Sequence, residues 1–175
     1  LDSFVCDDAV MKKFEVIVVD DGSKDNTAKI GKEYADKYPD TFRVISKENG
    51  GHGSTINCGI RNAVGKYFKV VDGDDWVNTA DFVKLVEDLE KTESEYVFTN
   101  YYEYYDDVNR QKTVDFPQFK DGTEYDFADV ANKVYIPMHA LVIKTSVLKD
   151  NNIVIDEKCF YVDVEYVMFP VPFVN

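Results

Sequence analysis

The chain has 175 residues, 45% of them hydrophobic and 14% aromatic, enough for one domain with a real core and too apolar for a disordered chain. Its net charge of −13 argues against a general nucleic-acid binder, whose surface would have to neutralise phosphates. No apolar run reaches the roughly 18 residues of a membrane span, and Cys6, Cys58 and Cys159 are too widely spaced for a zinc site or a disulfide framework, which fits a reducing cytoplasm.

The start, Leu1-Asp2-Ser3-Phe4, has neither an initiator Met nor a signal peptide, and the apolar stretch Pro170–Val174 looks cut, so a single domain truncated at both ends is expected. Residues 15–19, Glu15-Val16-Ile17-Val18-Val19, read as a buried strand running into the turn Asp20-Asp21-Gly22-Ser23. Asp25-Asn26-Thr27 then caps a helix over 27–38, with Ile30, Tyr34 and Tyr38 on one face and Pro39 stopping it. Phe42–Ser46 is a second strand. The turn Asn49-Gly50-Gly51-His52-Gly53 precedes a helix from Ser54, its expected N-cap, to about Ala63, with Gly65 ending it. Tyr67–Val71 is a third strand, residues 79–91 a helix with Phe82, Leu85, Val86 and Leu89 inward, and Glu95–Thr99 a fourth strand. This alternation predicts an α/β fold with an open, mostly parallel sheet and helices on both faces. Residues 100–120 are rich in Tyr, Asp and Phe and suggest a hairpin or an excursion toward an acceptor; a helix over 127–134, a strand over 140–143 and a short helix over 146–151 follow.

Two strand ends carry acids. Val70-Val71-Asp72-Gly73-Asp74-Asp75-Trp76 packs three carboxylates around one glycine, which mutual repulsion disfavours unless a divalent cation with its preference for oxygen ligands sits among them. Asp20 and Asp21 end the other strand, and strand C-termini are where open α/β sheets bind ligands. Asn49–Ser54 leads into a helix N-terminus whose free N–H groups suit phosphate or sugar, although no Gly-Lys-Ser/Thr makes it a P-loop and Ile56 stands at the last glycine position of GxGxxG. His139 is a candidate third metal ligand, His52 reads as a loop residue, and Asp163 and Glu165, two apart, would share a face on a strand and diverge on a helix. Taken singly, each motif is as readily a solvated turn, a flexible connection or an exposed acid pair.

Taken together and in order, Val18–Thr27, Glu48-Asn49-Gly50-Gly51, Asn57-x-Gly59-Ile60, Ala63-x-Gly65-Lys66-Tyr67 and Asp72-Gly73-Asp74-Asp75 resemble the family 2 glycosyltransferases of the GT-A, Rossmann-like fold. The match covers residues 15–77 specifically and agrees more weakly to about 168. The resemblance implies an inverting transfer of a sugar from a nucleotide-diphosphate donor, usually UDP-linked, with Mn²⁺ or Mg²⁺, to a carbohydrate or lipid-linked acceptor in bacterial cell-surface polysaccharide, teichoic-acid or glycolipid assembly. It implies a nucleotide-sugar half over residues 1–100 and an acceptor and catalytic-base half over 101–175, in the cytoplasm or at the inner face of the membrane. By resemblance Asp21 contacts the base, with Asp20 and Gly51 beside it. Asp72 and Asp74 form the DxD pair for ribose and metal, Asp75 shares the metal, His139 is a further ligand, and Asp163 is the catalytic base. The family's opening strand, with its Pro-x-Tyr-Asn-like end, has no counterpart here, and its Glu-Asp base motif reads Val162-Asp163. Two alternatives stay open: a non-catalytic nucleotide- or sugar-binding fragment, and a HAD-type phosphotransferase, against which Trp76 and the late position of the acids speak.

Overall fold

The computed structural model describes residues 1–174. Its first half follows the expected alternation. After a helical turn α1 (Asp8–Met11), strand β1 (Val16–Asp20) is followed by α2 (Thr27–Lys37), β2 (Phe42–Ser46), α3 (His52–Asn62), β3 (Tyr67–Phe68), α4 (Thr79–Leu89) and β4 (Tyr96–Phe98). β1 and β2 pair in parallel, Val16 opposite Phe42 through Asp20 opposite Ser46, joined by the crossover connection that a parallel pair requires. α2 lies on this pair, and its nearest approach is Gly31 rather than the expected Ile30, which is 47% exposed. A Cβ on Gly31 would come within 3.1 Å of Val44 and 3.2 Å of Val18, so a larger residue there would lift the helix off the sheet.

The second half departs from a mostly parallel sheet. β7 (Leu141–Lys144) inserts antiparallel between β3 and β4, giving the order β3-β7-β4, and β1–β2 forms a separate hydrogen-bonded pair. β3 is also shorter than Tyr67–Val71. Tyr67 and Phe68 pair with Lys144 and Ile143, but at the next step the Lys69 amine reaches the Leu141 carbonyl, 3.5 Å away on the β3-facing side of β7. The strand that fills the place between β3 and β4 arrives more than forty residues after β4, which is why alternation in the first hundred residues did not disclose it.

The Tyr-rich segment is a hairpin of β5 (Tyr101–Tyr105) and β6 (Arg110–Val114), closed through Asn109 at φ 45°. The helix expected over 127–134 is the single turn α5 (Phe127–Val130). A 3-10 turn at Met138–Ala140 leads into β7, and α6 (Thr145–Asp150) and α7 (Val162–Met168) complete the chain. The main core gathers Ile56 and Ile60 of α3, Leu141 and Ile143 of β7, Leu148 of α6, Ile155, and Tyr166 of α7. α3 is thus the common wall of both halves. It packs on β1 from one side and on α6 and α7 from the other.

Candidate active site

The glycine turn and the first acidic strand end form one unit. Gly51 takes φ 81°, a conformation that L side chains rarely adopt, and occupies the N-cap of α3, so the helix begins at His52 and not after Ser54. Asp21 is the staple. Its Oδ1 accepts from Lys47 Nζ at 2.6 Å, Gly50 N at 3.0 Å and Ser54 Oγ at 3.3 Å, and its Oδ2 accepts from Gly51 N at 2.8 Å. Burial pushes this carboxyl up, but the Lys47 ammonium and the two backbone N–H groups outweigh it and hold it below the usual carboxylate range. Each carboxylate oxygen offers about two acceptor positions, and Oδ2 uses one of them on Gly51 N, so one on Oδ2 remains for a ligand donor. Asp20 turns inward. It is 5% exposed and accepts from Ser23 N at 3.0 Å, and Ser23 foremost holds its carboxyl down. Its place is in the turn that presents Asp21.

The second acidic strand end meets two imidazoles. Asp72 Oδ1 lies 3.3 Å from His52 Nε2, and Asp75 Oδ2 lies 3.2 Å from His139 Nδ1. Asp72, Asp75 and His139 offer ligand atoms all within 4.8 Å of one another; the structure brings these three together and leaves Asp74 outside the group. The bond from His52 is the main cause lowering the Asp72 carboxyl and, reciprocally, Asp72 is the main cause raising His52. Two carboxylate oxygens and one imidazole nitrogen are a donor set that suits Mn²⁺ and, less strictly, Mg²⁺.

Asp163 lies in the first turn of α7, where Asp163 and Glu165 diverge as a helix dictates. Glu165 turns back to accept from Asp156 N at 2.8 Å, whereas the Asp163 charge helps to raise His52. Asp163 is half-buried.

Four residues of this arrangement were given no site role by the sequence. His52, read as a loop residue, bridges the glycine turn to Asp72. Lys47 ties Asp21 to Ser54. Asn57, 3% exposed, exchanges two bonds with Ile155. Lys69 donates to the His139 carbonyl at 2.6 Å, and its amine, pushed down to about 8 by burial and pulled back by Asp75, lies beneath the acidic turn. Asn57 stood in the motif Asn57-x-Gly59-Ile60, and Lys69 carried a signal of its own: a lysine inside the apolar run Tyr67–Val71 must find a partner or leave the sheet.

The profile of Glycosyl transferase family 2 matches residues 6–151. The chain belongs to this family. Over 101 residues it is 38% identical to the uncharacterized glycosyltransferase EpsJ of Bacillus subtilis, covering 55% of this chain and 29% of EpsJ. Over 84 residues it is 34% identical to the minor teichoic acid biosynthesis protein GgaB of the same organism, covering 48% of this chain and 9% of GgaB. Among solved structures it matches S. aureus TarS 1-349 with a TM-score of 0.68 at 26% identity, covering 87% of this chain and 44% of TarS 1-349. It matches the complex of TarS 1-349 with UDP-GlcNAc with a TM-score of 0.67 at 24% identity, over 87% and 43% of the two chains. The fold is therefore the GT-A glycosyltransferase fold, and the chain spans well under half the length of these proteins. A HAD-type phosphotransferase is set aside. Among the described residues no helix is long and apolar enough to cross a membrane.

Proposed function

We propose that this chain is the donor-binding and catalytic part of an inverting glycosyltransferase that uses a UDP-linked sugar in the assembly of a bacterial cell-surface polysaccharide or glycolipid. The observation that carries the reading is the juxtaposition of Asp72, Asp75 and His139 with the glycine turn held by Asp21. The kinship with TarS, solved with UDP-GlcNAc, favours UDP over other nucleotides.

In this reading Asp21 offers its remaining lone pair to the base and Gly51 lets the α3 N-terminus approach the donor closely. Asp72, Asp75 and His139 would hold Mn²⁺ or Mg²⁺, which when bound neutralises the charge growing on the departing diphosphate. Asp74, outside that group, is left to the ribose hydroxyls. Asp163 takes the proton of the acceptor hydroxyl as its oxygen bonds to the anomeric carbon. The bond from that carbon to the diphosphate oxygen breaks on the opposite face, and UDP leaves with the electron pair. Lys69, by fixing the His139 carbonyl, keeps β7 and the acidic turn in register.

The test is thermal unfolding with UDP and Mn²⁺. The intact chain should be stabilised, by roughly 2.7 kcal/mol at a hundredfold excess over Kd, and Asp72→Asn should abolish the gain. UDP release from UDP-sugars should fall by about a hundredfold or more in Asp163→Asn with UDP affinity retained. If no UDP compound stabilises the protein at any Mn²⁺ concentration, the proposal fails. Binding of UDP without transfer or donor hydrolysis would instead identify a non-catalytic nucleotide-binding module.

A further inference from the structure

The chain leaves several large aromatic side chains in water, and three of them form one surface. In β5 the side chains alternate: Tyr101, Glu103 and Tyr105 are partly covered, whereas Tyr102 and Tyr104 are 47% and 43% exposed. Across the ladder, Tyr102 faces Thr113 and Tyr104 faces Gln111, so these four share the outward face. Trp76, 61% exposed, stands on this face, its ring edge-on to Tyr104 with centroids 5.5 Å apart. The Tyr104 hydroxyl donates to Asn109 Oδ1 at 2.6 Å, which fixes the ring.

The charges of the two strands lie on the other face. Glu103 pairs with Lys112 at 3.2 Å and accepts from the Tyr105 hydroxyl at 2.9 Å, and Arg110 lies over the Tyr105 ring at 4.8 Å. The two strands therefore sort their side chains: charged groups on one face, and aromatic rings with an amide and a hydroxyl on the other. A neutral face of this kind matches a sugar ring, whose C–H surface packs on aromatic faces while its hydroxyls seek donors and acceptors at the rim. It does not match a phosphate-rich ligand, which would need bases. Position decides what the sugar would be. Trp76 directly follows Asp75, so whatever stacks there lies next to the group Asp72, Asp75 and His139.

We infer that Trp76, Tyr102 and Tyr104, with Gln111 and Thr113, form the acceptor platform, and that the acceptor presents a neutral saccharide unit to it. The inference rests on the glycosyltransferase reading, since the donor would occupy the acidic turn beside it. Gln111 and Thr113 bond the ring hydroxyls, and Tyr104 orients the unit that Trp76 holds toward the transfer point.

The chain contains one tryptophan, so its fluorescence, taken as the difference from Trp76→Phe, reports on the platform directly. Maltotriose, cellotriose, isomaltotriose and triacetylchitotriose are titrated into the full chain with UDP and Mn²⁺ present, and UDP affinity is measured separately by calorimetry. At least one trisaccharide should shift the Trp76 signal saturably. Tyr104→Ala should weaken that response roughly tenfold and Tyr102→Ala by less, with UDP affinity unchanged in both. UDP binding with no response to any of the four overturns the platform. So does a Trp76 signal that moves with protein concentration, which would mark the face as a contact between two copies of this chain. A saccharide response without UDP binding supports the platform and sinks the donor reading instead.

Discussion

Asn57 is one of the links between the two halves of the site, and its removal has a calculable cost. Asn57 on α3 donates from Nδ2 to the Ile155 carbonyl at 2.8 Å and accepts at Oδ1 from the Ile155 N–H at 2.9 Å. One amide thus does for the segment after α6 what a strand neighbour would do with two ladder bonds. Ile155 is fully buried and Asn57 is 3% exposed, so water cannot replace either bond. Asn57→Ala leaves a buried N–H and a buried C=O unpaired, each costing about 1–3 kcal/mol, so the loss should be about 2–6 kcal/mol. That is a large share of the roughly 5–15 kcal/mol that holds a domain together. Asn57→Asp provides the internal check. It keeps the acceptor for the Ile155 N–H but sets an ionised oxygen against the Ile155 carbonyl, so its own folded pKa must rise above the unfolded value of about 3.9. A raised carboxyl pKa means destabilisation that is complete above the folded pKa and relieved as pH falls through it. Asn57→Asp should therefore gain on the wild type in acid, and Asn57→Ala should not. Urea titration followed by far-ultraviolet circular dichroism measures both. A loss under about 1 kcal/mol for Asn57→Ala with an unchanged denaturant slope would refute the reasoning.

Other consequences are more local. Gly53→Ala should cost about 3 kcal/mol or more, or prevent folding, because the new Cβ would lie 1.9 Å from the Asp156 carbonyl oxygen and could be accommodated only by moving backbone; the thermal midpoint reads this. Lys47→Met should cost about 1–3 kcal/mol by removing the charged donor to Asp21. Asp21 should then titrate higher by NMR, and the wild-type advantage should narrow as pH falls, since a depressed carboxyl pKa stabilises only above the unfolded value. Glu93, held down to about 2 by Lys144 first and then by Lys66, should give the wild type an edge over Glu93→Gln that is present above about 4.5, fades toward about 2, and shrinks with added salt because the carboxylate is solvent-exposed. A difference in thermal midpoint that does not depend on pH would exclude that account.

What the sequence disclosed and what it hid divide along a physical line. Strands and helices of the first hundred residues were legible because their signals are local: β-branched runs for β1 and β2, Asp25-Asn26-Thr27 at the start of α2, and the glycine turns in which Gly22 and Gly51 take positive φ. The placement of β7 was hidden because pairing between β3 and β4 is decided by a segment more than forty residues beyond β4, and no local pattern distinguishes an inserted antiparallel strand from a parallel neighbour. In the site, acids at strand ends were legible by type and position. Which acids meet was not. Asp72 and Asp75 share a group with His139 while Asp74, between them, lies outside it, a matter of how the turn after Val71 is wound.

The partners of those acids explain why so acidic a chain can fold around them. Net charge is −13, yet each carboxylate that the site draws together is met by a base of this chain: Asp21 by Lys47, Asp72 by His52, Asp75 by His139. These bases come from β2's end, α3 and the turn before β7, so closing the pairs also fixes three segments distant in sequence to the two acidic strand ends. The least exposed of these pairs is Lys47–Asp21, and truncating Lys47 would leave Asp21 with only backbone and hydroxyl donors to offset its charge. The acids are therefore stabilised collectively, and Asn57 keeps the collective intact by locking α3, which carries His52, to the segment leading into Asp163.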